Sequence, residues 1–225
     1  MLTFLSIVGL FFEILPLILF FVRFKKTAKI PELRVLCFYT ALVLLSGISA
    51  SIFRNNAVFL LHVFSICELF LFSSIFYLCI RRDNTRRVII FISCLMVLFL
   101  IIILIFSTTR FDFISTLAIA LLILTYSIIF YYEQINQPEE LIIYQSHKFW
   151  IVTGCTIFYS GTLFIFLYTS DMKDKTHSSL WEGANATFEI IKNICFSIAI
   201  LIAGRNANKH LSFESYDTNP FETPF

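Results

Sequence analysis

The sequence predicts an all-α, polytopic membrane protein built as a bundle of seven transmembrane helices. Of the 225 residues, 58% are hydrophobic and only 14% are charged, whereas soluble domains carry about 25% charged residues. The apolar residues also cluster in blocks of roughly 20, the length that an α-helix needs to cross about 30 Å of hydrocarbon. Strands of a membrane barrel would be about half as long and would alternate in polarity, so helix is the expected state.

Seven such blocks and their connectors take up nearly the whole chain. The third and fourth blocks are the most clearly separated, because an arginine-rich segment, 81–87, divides two nearly uncharged runs. We expect the bundle to occupy residues 1–204. Residues 205–225 are polar and terminal, so we expect a disordered cytoplasmic tail. The predicted spans are about Thr3–Val22, Val35–Phe53, Val58–Ile80, Val88–Phe106, Phe113–Tyr132, Phe149–Tyr168 and Leu180–Ala203.

Basic residues near the span ends predict the orientation, because cytoplasmic loops carry an excess of Lys and Arg. Twelve lie on one side and four on the other, while Lys192 lies inside a span. The excess places the N-terminus outside and the C-terminus in the cytoplasm, in the cytoplasmic (inner) membrane. The twelve are Arg23, Lys25, Lys26, Lys29, Arg34, Arg81, Arg82, Arg86, Arg87, Lys148, Arg205 and Lys209, and the four are Arg54, Arg110, Lys173 and Lys175.

Four ionisable side chains stand out within the predicted spans: Glu13, Glu68, Glu189 and Lys192. A charged group at the centre of a bilayer costs about 2.5–3.5 kcal/mol even on translocon-insertion scales, so such groups face the bundle interior or a water-filled cavity. Counting residues along each span puts Glu13, Glu68 and Lys192 near the middle of spans one, three and seven. Glu189 lies one turn closer to the outside. Three helices therefore bring ionisable groups to about one level.

A polar stripe on span seven supports this interpretation. Asn185, Glu189, Asn193 and Ser197 recur every four residues, a spacing that places them on one helix face. Glu189 can pair with Lys192 three residues later, and Lys192 can reach Glu13 or Glu68 across the bundle.

This polar cluster has two interpretations. It is either a ligand-binding pocket, which we favour, or a set of hydrogen bonds that only fixes helix packing. His62, near the outer end of span three, is a candidate for the pocket rim. We find no catalytic set, and the histidines and cysteines do not form a metal-binding pattern. Span six carries Gly154, Gly161 and neighbouring hydroxylated residues, which we interpret as helix contacts because small residues let helices approach closely.

A retinal protein is one alternative, with Lys192 as the Schiff base and Glu68 as its counterion. The sequence departs from that family, because its two tryptophans, Trp150 and Trp181, lie at span ends rather than around a chromophore. The acid of span seven also precedes the lysine by three residues rather than four.

The chain also resembles small seven-span bacterial membrane proteins of sensor type. This resemblance implies a receptor-like role, with output through a separate cytoplasmic signalling protein such as a histidine kinase. It carries over no catalytic residue and leaves any cofactor unknown, so it favours a non-enzyme without deciding the question. We expect no nucleic-acid partner. The residues that carry it are Leu61-His62, Glu68-Leu69-Phe70-Leu71 and Tyr77 in span three, Phe149-Trp150-Ile151 and Tyr159-Ser160-Gly161 in span six, and Trp181 and Asn193 in span seven.

Two further functions remain open at this stage. Midplane charges are typical of ion and proton pathways, so a transporter or channel is the main alternative, with an oligomer as one source of a pore. A membrane-embedded enzyme acting on lipid or quinone needs a converging nucleophile or metal site near the interface, and the sequence shows none.

Overall fold

A computed structural model describes residues 2–52, 57–106, 113–136, 143–169 and 176–216. All regular structure in these ranges is helical, which confirms the all-α prediction. A single 3-10 turn covers Ile143–Gln145. The α-helices are α1 (Leu2–Val22), α2 (Phe24–Thr27), α3 (Pro31–Ile52), α4 (Ala57–Cys79), α5 (Asp83–Phe106), α6 (Phe113–Ile135), α7 (His147–Thr169) and α8 (Thr176–Tyr216).

Six of these helices, α3 to α8, are long and apolar enough to cross a membrane, and α1 contains a shorter apolar stretch, Val8–Val22. Helices α3, α5 and α8 begin four or five residues earlier than the sequence predicted. Helix α3 begins at Pro31, a residue suited to the first helical position. Helix α5 begins at Asp83, whose carboxylate is favourable near the positive end of the helix dipole. Hydropathy detects only the apolar part of such helices and misses their polar first turns.

Helix α8 differs from the prediction at its other end. It continues to Tyr216, whereas we expected the bundle to end at residue 204 and a disordered tail to follow. The first part of the expected tail is therefore helical. The rest, residues 217–225, lies outside the described residues.

The long helices pack in an order that closes a ring. Helix α8 packs against α7 and α1, α1 against α3, and α3 against α4; α4 then contacts α6, and α6 contacts α7. Helix α5 lies outside this ring, mainly against α4, and has the smallest buried share of the six spans, 17%. Chain neighbours are therefore usually spatial neighbours, as short connections favour.

Side chains from distant parts of the sequence meet at one end of the bundle, which we call the basic end. There Lys148 Nζ of α7 lies 3.0 Å from Glu32 Oε1 of α3 and donates to the carbonyl oxygen of Leu78 at the end of α4. Arg23 Nη1 donates to the carbonyl oxygen of Leu201 on α8. The end of α1, the start of α3, the end of α4 and the start of α7 therefore lie at the same end of the bundle. Because helix ends and helix starts meet there, successive spans run antiparallel.

The tightly packed core lies mainly in the half of the bundle next to the basic end. Phenylalanine and isoleucine side chains from several helices are fully buried there. Few large side chains are as deeply buried in the other half. Representative core residues are Leu36, Phe72, Phe76, Ile80, Ile123, Phe130, Ile151, Phe196 and Ile200.

The outer surface of the bundle is apolar rather than charged. Phe21, Phe70 and Phe91 are each 65% exposed, and Ile105 is 67% exposed. Exposed apolar patches of this kind are rare on soluble proteins, but lipid tails cover them at no cost. Surface composition thus agrees with helix length in indicating insertion in a membrane.

A buried carboxylate accepts hydrogen bonds from the segment that connects α4 and α5. Glu133, at the end of α6, is 4% exposed. Its Oε2 accepts from the backbone N–H of Arg81 at 3.1 Å, and its Oε1 accepts from that of Arg82 at 3.2 Å. Glu133 therefore satisfies two backbone donors just before α5 begins.

We expect Glu133→Ala to lower the free energy of unfolding by about 2 kcal/mol, because two backbone N–H groups lose their acceptor. Glu133→Gln keeps one carbonyl oxygen and should lose less. The matched control is Asp83→Ala, because the Asp83 side chain is 82% exposed. Denaturation in mixed detergent micelles measures all three variants. A loss for Asp83→Ala equal to that for Glu133→Ala would contradict this role.

Candidate functional site

A cavity of about 320 Å³ lies in the half of the bundle away from the basic end. Helices α1, α3, α4, α6, α7 and α8 all contribute to its wall, so it lies inside the ring rather than on its surface. Only α5 among the long helices takes no part. The lining residues are Glu13, Tyr39, Val43, Ser46, Gly47, Leu61, Phe64, Ser65, Glu68, Thr116, Ile119, Phe158, Tyr159, Thr162, Phe166, Asn185, Glu189 and Lys192.

Lys192 is the central charge of this site and is only 1% exposed. Its Nζ donates to the hydroxyl of Tyr39 at 3.1 Å and lies 3.5 Å from Glu189 Oε1. The same ammonium group lies 4.1 Å from the ring centroid of Phe158. A buried cation is costly unless it is paired and hydrogen-bonded, and an aromatic face adds a further attraction. All three kinds of contact are present here.

Glu68 connects to this lysine through a tyrosine. Its Oε1 accepts from the Tyr39 hydroxyl at 3.2 Å and from the Tyr159 hydroxyl at 2.9 Å. Tyr39 thus accepts a hydrogen bond from Lys192 and donates one to Glu68. This chain of bonds joins α8, α3, α4 and α7 at one level. Hydrogen bonds to ionised groups are roughly twice as strong as those between neutral groups.

Glu13 brings a further carboxyl to the site from α1. It lines both the main cavity and a small adjacent crevice, which Tyr39, Thr40, Val43, Lys192 and Asn193 also line. The described lining therefore holds three acids, Glu13, Glu68 and Glu189, and one base, Lys192.

The structure brings most of the predicted polar cluster together. Glu13, Glu68, Asn185, Glu189 and Lys192 line the cavity, and Asn193 lines the crevice. The pair of Lys192 with Glu189 is present, and Lys192 reaches Glu68 through Tyr39 rather than directly. Their role in ligand binding stays a prediction.

The remaining predicted residue, His62, is 4% exposed on α4. It is not among the described residues that line the cavity. Its proposed place at the rim therefore has no support from the geometry.

A threonine hydroxyl faces the cavity and has no hydrogen-bond partner within the described part of the chain. Thr162 is 6% exposed, and its Oγ1 has no hydrogen-bond partner among the described residues. Thr156, six residues earlier on α7, instead donates to the carbonyl oxygen of Val152 one turn back, as helical threonines commonly do. A buried hydroxyl without a partner costs about 1–3 kcal/mol. Water or a ligand in the cavity would supply the missing hydrogen bond.

Sequence reasoning missed several residues of the site. Tyr39 was not singled out. Tyr159 was named only among the residues that carry the family resemblance, and Thr162 was included only among the hydroxylated residues of span six. Phe158, which contacts Lys192, was also missed. One signal was available, because tyrosines in membrane proteins favour the interfaces and a tyrosine well inside a span needs a partner for its hydroxyl.

The described residues contain no group of three or more His, Cys, Asp or Glu side chains that could hold a metal ion. Comparison with protein-family models, with curated proteins and with solved structures gave no match.

Proposed function

We propose that this chain is a seven-span, receptor-like membrane sensor that binds a small or lipophilic ligand in the cavity around Lys192. Output would pass to a separate cytoplasmic signalling protein such as a histidine kinase. The seventh span in this proposal is α1, a helix of 21 residues that is long enough to cross the hydrocarbon core. The cavity, with polar groups from six helices, is the observation that carries the proposal.

The contents of the cavity favour a bound molecule over simple packing. Phe64, Phe158 and Phe166 give it apolar walls. Polar contacts come from the carboxyls and from the Thr162 hydroxyl, which has no hydrogen-bond partner in the ranges that the structure describes. Ligand sites commonly combine a mainly apolar wall with a few placed polar groups. A cluster that served only helix packing would have no need for about 320 Å³ of space.

The position of the cavity supports sensing from outside. With the N-terminus outside, as the distribution of basic residues predicts, the cavity lies in the outer half and the basic end lies in the cytoplasm. Core residues such as Phe72, Phe76 and Phe196, each 0% exposed, fill the other half. A conducting pore needs a polar path through both halves, so this packing argues against an open channel.

The hydrogen-bond network also offers a route for a signal. Lys192, Tyr39 and Glu68 join three helices at the cavity, and two of these, α3 and α8, are bonded to their neighbours again at the basic end through Glu32 and the carbonyl oxygen of Leu201. A ligand that binds one arrangement of this network more tightly than another would shift the helices at the basic end.

A stability screen tests ligand binding. We expect some amphiphilic compounds small enough for the cavity to raise the melting temperature of the purified protein. A compound present at about 100 times its Kd should stabilise by about 2.7 kcal/mol. We expect Glu68→Gln and Lys192→Met to lose this stabilisation. The matched control is Glu32→Gln, which neutralises a buried acid at the basic end and should retain it.

A compound that stabilises wild type, Glu68→Gln and Lys192→Met equally does not bind at the proposed site. Reconstitution in liposomes then distinguishes a transporter from a sensor. Ion or proton flux that depends on Lys192 would favour transport and contradict the sensor proposal, whereas ligand binding without flux would support it.

A further inference from the structure

A second recess lies outside the ring, between α4 and α5. This groove has a volume of about 550 Å³ and opens on the apolar outer surface, where Phe70 is 65% exposed and Ile90 is 49% exposed. Phe70, Tyr77 and Leu78 form one wall, and Ile89, Ile90 and Val97 form the other. None of these residues lines the cavity around Lys192, so the groove is a separate site.

The groove runs from the basic end toward the middle of the bundle. Ile89 and Val97 are eight residues apart on α5, which corresponds to about 12 Å along the helix. Its walls are mainly apolar, and Ser73, Ser74, Ser93 and Cys94 complete the lining. These dimensions suit one extended hydrocarbon chain lying parallel to the helices.

An arginine, Arg86, contacts Tyr77, one of the residues that line the groove. Arg86 Nε donates to the carbonyl oxygen of Ile80 at 2.7 Å, and its guanidinium lies 5.3 Å from the ring centroid of Tyr77. Its Nη1 lies 3.5 Å from Asp83, and 31% of the side chain remains exposed. The guanidinium is therefore held in place yet accessible, which reduces the entropy lost when it binds an anion.

Further positive charge surrounds this arginine. Arg81, Arg82 and Arg87 are exposed in the same segment, where Asp83 is the only acid. Arg86 and Arg87 precede Ile90 by four and three residues, so they lie over the same face of α5 as the groove. An apolar groove thus ends at a cluster of arginines.

We propose that this groove binds an anionic phospholipid, with an acyl chain between α4 and α5 and the phosphate at Arg86 and Arg87. Clusters of arginine beside a membrane span attract anionic lipid at about 1 kcal/mol per residue. A second copy of the chain is a poorer occupant, because a two-fold axis along the membrane normal would bring the two arginine clusters together. A free phosphate would leave the apolar walls uncovered.

Lipid binding to the purified full-length protein tests the proposal. The probes are dioleoyl phosphatidylglycerol, dioleoyl phosphatidylcholine and inorganic phosphate, and native mass spectrometry measures the apparent Kd of each. We expect phosphatidylglycerol to bind at least about five-fold more tightly than phosphatidylcholine, the ratio that 1 kcal/mol corresponds to. Inorganic phosphate should not compete at equal concentration.

Variants then locate the site. Arg86→Gln should reduce the preference for phosphatidylglycerol by about five-fold. If Arg86→Gln does not fold, Arg87→Gln, a substitution at an exposed position, should give the same reduction of about five-fold. Cys94→Trp, which fills the groove, should weaken binding of both lipids. The matched control Arg34→Gln removes an exposed arginine of α3 and should leave the preference unchanged.

Three results would overturn the proposal. The first is equal affinity for the two lipids. The second is an equal loss for Arg34→Gln and Arg86→Gln, which would show general attraction to a basic surface. The third is undiminished binding to Cys94→Trp, which would place the lipid elsewhere. None of these results bears on ligand binding at Lys192.

Discussion

Replacement of Lys192 by methionine is expected to lower the free energy of unfolding by about 3 kcal/mol. The variant leaves Glu189 and Tyr39 without their cationic partner and removes the only base in the described cavity wall. Breaking a buried ion pair on one side typically costs about 3–5 kcal/mol. The lower value is expected here because the Glu189 side chain is 24% exposed. Unfolding in mixed micelles with increasing SDS measures the change.

The matched control is Arg86→Met. Arg86 also pairs with an acid, Asp83, but the two side chains are 31% and 82% exposed, so we expect a loss of about 1 kcal/mol. Adding Glu189→Gln to Lys192→Met should recover part of the stability, because one unpaired carboxylate is removed. Equal losses for Lys192→Met and Arg86→Met, with no recovery in the double variant, would contradict the central place of Lys192.

The second large loss of stability is expected on substitution of Gly154, which lies where α7 packs against α8. A Cβ at this position would lie 3.0 Å from the Cβ of Cys195 and 3.2 Å from the carbonyl oxygen of Lys192. Neither atom is the end of a flexible side chain. Gly154→Val should therefore separate the two helices and lower the free energy of unfolding by about 3 kcal/mol, at the upper end of overpacking costs.

Gly183→Val is the control for this substitution, because no described atom lies within 4 Å of a Cβ built on Gly183. It makes the same chemical change in α8 and should cost little. Unfolding in mixed micelles separates the two. A Gly154→Val protein as stable as Gly183→Val would mean that α7 and α8 do not pack as closely as described. Because Lys192 lies on this interface, we also expect Gly154→Val to weaken ligand binding in the cavity.

The sequence predicted the helices well because a membrane span can be recognised as a long run of apolar residues. Runs of about 20 apolar residues give α3 to α7 to within about five residues at each end. The errors occur where helices extend into polar sequence, as at Asp83 and beyond Arg205, since hydropathy carries no information there. The outer position of α5 was not predictable, because a helix that is apolar all round gives no periodic signal of which side it buries.

The sequence could predict how deep in the membrane each ionisable residue of the site lies. Antiparallel helices cross the same slab at 1.5 Å per residue, so counting placed Glu13, Glu68 and Lys192 at one level. Which atoms would meet depends on rotation and side-chain direction, and these come from packing. The bridge through Tyr39 and the partnerless Thr162 hydroxyl therefore emerge only from the structure.

Sensing from outside, as proposed, requires that the polar cavity opens to water on the outer side and is closed toward the cytoplasm. The variant Thr162→Cys tests this access to water. It is made in a background without the natural cysteines and is labelled with a membrane-impermeant maleimide, on intact cells and on inverted vesicles. Ser127→Cys, at a core position 1% exposed, is the control that should stay unlabelled from both sides. We expect Thr162→Cys to react in intact cells and not in inverted vesicles. Labelling only in inverted vesicles, or in neither preparation, would contradict the claim.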